Sequence, residues 1–255
     1  MMRIFAAIEF LTVFRLRRGP AASLPEIAAS QAWFPVVGLL IGALLVAIDR
    51  LAIRALPAAS VDVLLVVALA AITGALHLDG LGDAADGLFG GNSRERRLEI
   101  MHDVHAGSFS IVAIGSVLAM KWAGLAALPS HVRAEAILAT PCLARFGMVA
   151  AVAAFPYARP QGLGLEFHRT AWPLAVVAGA IVALVVSGAM FGAGGVAIVA
   201  LAAGCSLAVG AYASRLIGGL TGDVYGAIVE ITEAALFLAI AASANRGWLD
   251  AWALR

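Results

Sequence analysis

Charge is what this sequence has least of. Asp, Glu, Lys and Arg make up 13% of its 255 residues, about half the share found in ordinary soluble domains. So little charge cannot coat a water-soluble globule, and a hydrophobic fraction of 62% excludes one from the other side. The charges that remain are balanced, 17 basic against 16 acidic, so no overall field points to nucleic acid or to an acidic partner. Cysteine is nearly absent. Cys142 and Cys205 lie far apart, each in an apolar stretch, which excludes a disulfide framework or a zinc site and leaves small buried hydrophobes. The charge-first order of a secretory signal is missing too: the apolar run from Ile4 to Val13 comes before Arg15, Arg17 and Arg18.

Long hydrophobic runs are what the chain does have. A helix needs about 20 mostly apolar residues to span the hydrocarbon core, and seven runs qualify: 34–49, 61–78, 109–128, 134–155, 172–191, 194–213 and 224–244. Gly and Ala are frequent within them, as helix contacts in membranes prefer. The expected fold is all-α: one polytopic membrane domain, 1–255, of about seven transmembrane helices, with residues 1–33 partly interfacial. With the N-terminus inside, the inner segments hold ten arginines and the outer ones five, so the positive-inside bias supports that orientation. The inner loops are then 79–108, 156–171 and 214–223, and every loop of unusual polar chemistry falls on this side.

Two acidic motifs stand out. In His77-Leu-Asp-Gly-Leu-Gly-Asp-Ala-Ala-Asp-Gly, Asp79, Asp83 and Asp86 follow at i, i+4 and i+7 and would share one face if the helix continued through them. Three such carboxylates repel one another unless a cation neutralises them. Hard oxygen ligands suit Mg²⁺, which keeps water and bridges to substrate phosphate. In the second motif, Thr221 to Glu233, Asp223, Glu230 and Glu233 again fall on one helical face. Asp223 sits at the membrane edge as a ligand candidate. Glu230 and Glu233 lie deeper, where a carboxylate needs a polar cavity or a partner, so ligation and pairing with Lys121 or Arg145 are both open. Lys121 and Arg145 sit within apolar runs and either bind anionic substrate groups or balance the carboxylates. On the inner side Arg97, Arg159 and Arg215 are candidates to clamp phosphate, and His77 adjoins the first motif. No nucleophile elbow, phosphate-binding loop or dinucleotide fingerprint is present.

These motifs resemble those of the cobalamin synthase (adenosylcobinamide-GDP ribazoletransferase) family. The matching pieces are Gly74 to Gly91, Glu95 to Asp103, Phe155-Pro-Tyr-Ala-Arg159 with Gly162-Leu-Gly164, and Gly218 to Glu233. The chain departs at His102, His105 and Ser110, and after Phe10-Leu-Thr12. The resemblance implies a Mg²⁺-dependent transferase of a bacterial inner membrane, its site facing the cytoplasm. It would join adenosylcobinamide-GDP to α-ribazole or its 5′-phosphate and release GMP, with membrane lipid around it. It leaves open a homo-oligomer or association with other late cobalamin-pathway enzymes. Asp79, Asp83, Asp86, Asp223 and Glu230 would hold metal. Asp83, Lys121 and Arg145 would act in catalysis, and His77, Arg97, Arg159 and Arg215 would bind substrate. Two rival readings are a CDP-alcohol phosphotransferase-like enzyme, whose signature fails at Leu81-Gly-Asp83, and a cation or metabolite transporter, whose inverted repeats are not visible.

Overall fold

Inside a bilayer each backbone N–H and C=O must find a partner within its own segment, which favours helices. The computed structural model describes residues 2–17, 20–170 and 173–249. Among the described residues there is no β-strand, only an isolated bridge between Tyr157 and Leu220. Arg18 and Arg255 of the charge count, and residue 172 at the start of the fifth predicted span, lie outside the described residues.

Helices α1 (Met2–Leu11) and α2 (Leu24–Ala28) precede α3 (Phe34–Ala52), α4 (Ala58–Ile72) and α5 (Leu76–Gly90). Then come α6 (Arg94–Ile100), α7 (Ser108–Ala126), α8 (Ser130–Ala154) and the short α9 (Leu163–Thr170). The hairpin α10 (Pro173–Phe191) and α11 (Gly194–Ile217) leads to α12 (Gly222–Asn245). Among the described residues six helices are long and apolar enough to cross a membrane: α3 with the turn before it, α7, α8, α10, α11 and α12. Helices α4 and α5 pass the same test only as a pair, bent by 88°.

That bend corrects two expectations. The run 61–78 is not one straight span, and 79–108 is not a loop, because α5 and α6 occupy most of it. The break lies at Thr73-Gly-Ala75, where Gly74 (φ 60°) and Ala75 (φ 56°) are left-handed. For alanine that conformation costs about 1–2 kcal/mol. The Ile72 carbonyl at the end of α4 accepts from the Val13 N–H at 2.9 Å, and the Thr73 hydroxyl donates to the Leu69 carbonyl at 3.0 Å. The N-terminal segment thus stitches the corner that turns α5 away from α4.

Helix α8 is central: 83% of its most apolar stretch is buried inside the protein, against 22% for α10. Gly38 and Gly42 let α3 press onto α8, since a Cβ on either would collide with the backbone at Pro141 or Leu138. Such small-residue contact replaces the hydrophobic drive that lipid does not supply. Near the far end of α8 from the site, Arg133 bonds Asp49 at 2.8 Å and Asp62 at 2.7 Å, which ties α3, α4 and α8 together.

Candidate active site

Helix α5 crosses the start of α12 at glycine. A Cβ on Gly80 would lie 3.0 Å from the Asp223 carbonyl oxygen, and one on Gly226 would lie 2.9 Å from that of His77. Larger residues here would push the helices, and their aspartates, apart. Asp79 is exposed, while Asp83 and Asp223 are half-buried. The negative charges of Asp79, Asp223 and Asp86 all bear on Asp83.

Asp223 is held from two sides. The Arg159 guanidinium donates to it at 3.0 Å, and the Thr221 hydroxyl donates to it at 3.2 Å. Thr221 also caps α12, accepting from the Val224 N–H at 3.3 Å. Arg159 is delivered by a short segment laid beside the α11–α12 turn. The Leu220 N–H donates to the Pro156 carbonyl and the Ala158 N–H to the Leu220 carbonyl, both at 2.8 Å. Arg94 clamps the two strips, donating to the Ile217 carbonyl at 2.9 Å and the Ala158 carbonyl at 2.8 Å. The Tyr157 ring fills the space that side chains would need at Gly162 and Gly164, and burial pushes its phenol up from the ordinary value.

Other expected site residues are placed differently. Asp86, expected to ligate metal, is buried and accepts from the Gly107 N–H at 2.6 Å and the Ser110 N–H at 3.0 Å. It therefore caps α7, using N–H groups that a helix start leaves unpaired. Arg97 turns to the Leu88 carbonyl at 3.3 Å, near the end of α5. Arg215 is exposed in the last turn of α11. Asp103, ahead of α7, accepts from the His105 N–H at 3.0 Å and lies 2.7 Å from its ring nitrogen.

Glu230, also expected as a ligand, belongs to a separate network in the bundle interior. Lys121 donates to Glu230 at 2.6 Å and to Glu233 at 2.5 Å. Arg145 donates to the other oxygen of Glu233 and lies 3.5 Å from Nδ1 of His77. All five residues are at most 4% exposed. Of the two expectations for Lys121 and Arg145, the geometry realises balance of the carboxylates.

Among the described residues, no group of three or more His, Cys, Asp or Glu side chains converges closely enough to hold a metal ion. The donor set nevertheless suits Mg²⁺, which is commonly held by one or two carboxylates with water and substrate phosphate completing its shell. Two cavities flank Asp223. The inner one, about 190 Å³, is bounded by α1, α5, α8, α9 and α12 and includes Asp79, Asp223, His77 and Tyr225 in its wall. The outer one, about 590 Å³, is lined by His102, Tyr157 and Arg159 and shares Leu163, Gly164 and Gly222 with the inner. Sequence reasoning had not singled out Tyr157, Thr221, Tyr225 or Phe167. The glycines at 162, 164 and 226 were the available signal, because each marks where a ring or a backbone presses close.

Fold and site together define a polytopic helical membrane protein with an acidic, arginine-flanked cleft at one end of its bundle. The chain belongs to the Cobalamin-5-phosphate synthase family, whose model matches residues 3–241. It is 34% identical to the adenosylcobinamide-GDP ribazoletransferase of Geotalea daltonii, over 96% of this chain and 100% of that relative. It is 39% identical to the enzyme of the same name from Syntrophobacter fumaroxidans, over 92% and 96%, and 38% identical to that of Synechococcus elongatus, over 91% and 93%. No solved structure matches the chain. The protein is accordingly a membrane-embedded transferase of cobalamin biosynthesis.

Proposed function

We propose that the protein transfers the adenosylcobinamide-phosphate group of adenosylcobinamide-GDP to α-ribazole or its 5′-phosphate, giving adenosylcobalamin or its phosphate and GMP. The observation that carries this reading is the juxtaposition of Asp79, Asp83 and Asp223 with Arg159, where Asp79 and Asp223 line one cavity and Arg159 the adjoining one. A transfer between two substrates needs two places that meet at the reacting phosphorus. The names of the relatives supply the substrate class.

In this reaction the ribose hydroxyl oxygen bonds to the phosphorus next to cobinamide and releases its proton. The bridging P–O bond breaks, and GMP leaves with the bridging oxygen. Asp79, Asp83 and Asp223 are the carboxylates of which one or two would hold Mg²⁺, which would supply neutralisation of the pyrophosphate charge. Arg159 is poised to exchange Asp223 for a phosphate oxygen, since its guanidinium can serve either acceptor. Arg215 lies exposed near the α11–α12 turn, where the nucleotide's anionic end could be steered. Glu230, Lys121 and Arg145 act from behind, by fixing α12, α7 and α8 relative to one another. The cleft faces the cytoplasm of a bacterial inner membrane, a reading that rests on the two-to-one arginine bias.

The test is an assay of the protein in liposomes with adenosylcobinamide-GDP and α-ribazole 5′-phosphate, with and without Mg²⁺. Cobalamin 5′-phosphate and GMP should appear in equal amounts and only with metal. Well-folded protein that makes neither would refute the assignment, and equal product in the presence of EDTA would refute the metal.

A further inference from the structure

The inner cavity combines an apolar wall with two residues that each carry a buried polar atom without a partner. Phe10, Leu76, Met148 and Phe167 supply much of the wall. Phe10 and Phe167 meet edge to face with ring centroids 5.8 Å apart, and Phe167 lies 6.4 Å from Tyr225. His77 and Tyr225 also line the cavity, at 3% and 1% exposure. Nε2 of His77 and the Tyr225 hydroxyl are buried without a hydrogen-bond partner in the protein. Leaving a buried polar group unpaired costs about 1–3 kcal/mol, so a ligand in this cavity whose acceptor reaches Nε2 of His77 would recover part of that cost.

The buried network says which kind of atom His77 needs. A guanidinium has donors only, and Arg145 approaches Nδ1 of His77 at 3.5 Å. That contact is a hydrogen bond only with Nδ1 as the acceptor, the tautomer that puts the ring hydrogen on Nε2 as an unused donor. Arg145 is itself fixed by Glu233, which Lys121 also holds. The chain from Lys121 through Glu233 and Arg145 thus sets the tautomer of His77.

Resting on the proposed reaction, we infer that the inner cavity is the subsite for the flat aromatic base of the acceptor nucleoside, with Nε2 of His77 donating to the base's unsubstituted ring nitrogen. The base of α-ribazole is a bicyclic benzimidazole with a single free ring nitrogen, an acceptor, and is otherwise apolar. The walls from Phe10, Phe167 and Met148 suit its faces. Guanine fits poorly, because its several donors and acceptors would meet mostly hydrocarbon and remain unpaired. Asp79 and Asp223 at the cavity's edge then place the ribose beside the reacting phosphate, and the outer cavity with Arg159 is left to the nucleotide.

The experiment compares two acceptors in liposome-reconstituted protein: α-ribazole, and the same riboside with a ring C–H replacing the free nitrogen (an indole base). Wild type should favour α-ribazole by about tenfold in kcat/KM, the value of one hydrogen bond to a buried acceptor. His77→Ala should bring the ratio near one while leaving the KM for adenosylcobinamide-GDP unchanged. His77→Gln, which restores an N–H donor, should recover part of the preference. Equal use of both acceptors by wild type, or an undiminished preference in His77→Ala, would overturn the subsite. So would a rise confined to the KM for adenosylcobinamide-GDP, which would place guanine there. In each of these cases corrinoid product still forms, so the proposed reaction survives; wild type that forms none from either acceptor would sink both.

Discussion

Helix α12 carries two sets of carboxylates a few turns apart, and their surroundings differ in kind. Glu230 and Glu233 are buried with Lys121 and Arg145, two anions against two cations. Asp223, in the first turn, shares its end of the bundle with Asp79 and Asp83 and is paired with Arg159, so among the described residues Asp79 and Asp83 have no salt-bridge partner. Sealed inside the bundle, such a deficit would be prohibitive, because an unpaired buried ion costs several kcal/mol. Beside an open cleft it is sustained by water and can be cancelled by a cation. On the proposed function, the interior set is framework and the exposed set is the ligand site.

Breaking the balanced set should have the largest effect. Glu233→Gln leaves Lys121 and Arg145 with one carboxylate and is expected to cost about 3–5 kcal/mol of stability, read as a lowered Tm of the purified protein. Removing Lys121 and Glu230 together should cost less than removing either alone, since no uncompensated charge remains; thermal unfolding of the double variant checks this. At the cleft, Asp83→Asn should lower turnover by about 10²–10³-fold with Tm unchanged, which reverses the pattern of the interior set. Asp86→Ala, between the two regimes, should lose the α7 cap and about 1 kcal/mol, seen as a modest fall in Tm. The smallest effect is expected from Ala75→Gly, which relieves the left-handed alanine at the α4–α5 corner and should be neutral or slightly stabilising in the same measurement.

What was legible in the sequence follows the same division. Six of the seven apolar runs each fall mainly on a single helix, because hydropathy over 15–25 residues is a local property, while 61–78 crosses the α4–α5 corner. The 88° corner was not legible, since it depends on two left-handed residues at Gly74 and Ala75 and on Val13, which arrives from far up the chain. Nor was the helical state of 79–90: four glycines between 80 and 90 argue for a loop by propensity, but the same glycines let α5 lie against α12 and α6. Asp79, Asp83 and Asp86 were grouped by helical spacing, yet Asp86 looks to the start of α7, because its neighbours across the helix differ. The partners of Lys121 lie 109 and 112 residues away. Only the packed bundle could choose between a substrate and a glutamate for it.

The most direct test of the distinction is the Mg²⁺ concentration that gives half-maximal GMP release in liposomes, measured for wild type, Asp79→Asn and Glu230→Gln. Removing a cleft carboxylate should raise it by roughly tenfold or more, within the range seen when a metal site loses support, while Glu230→Gln should leave it unchanged whatever its effect on stability. A raised requirement in Glu230→Gln with none in Asp79→Asn would contradict the account and move the metal into the bundle interior.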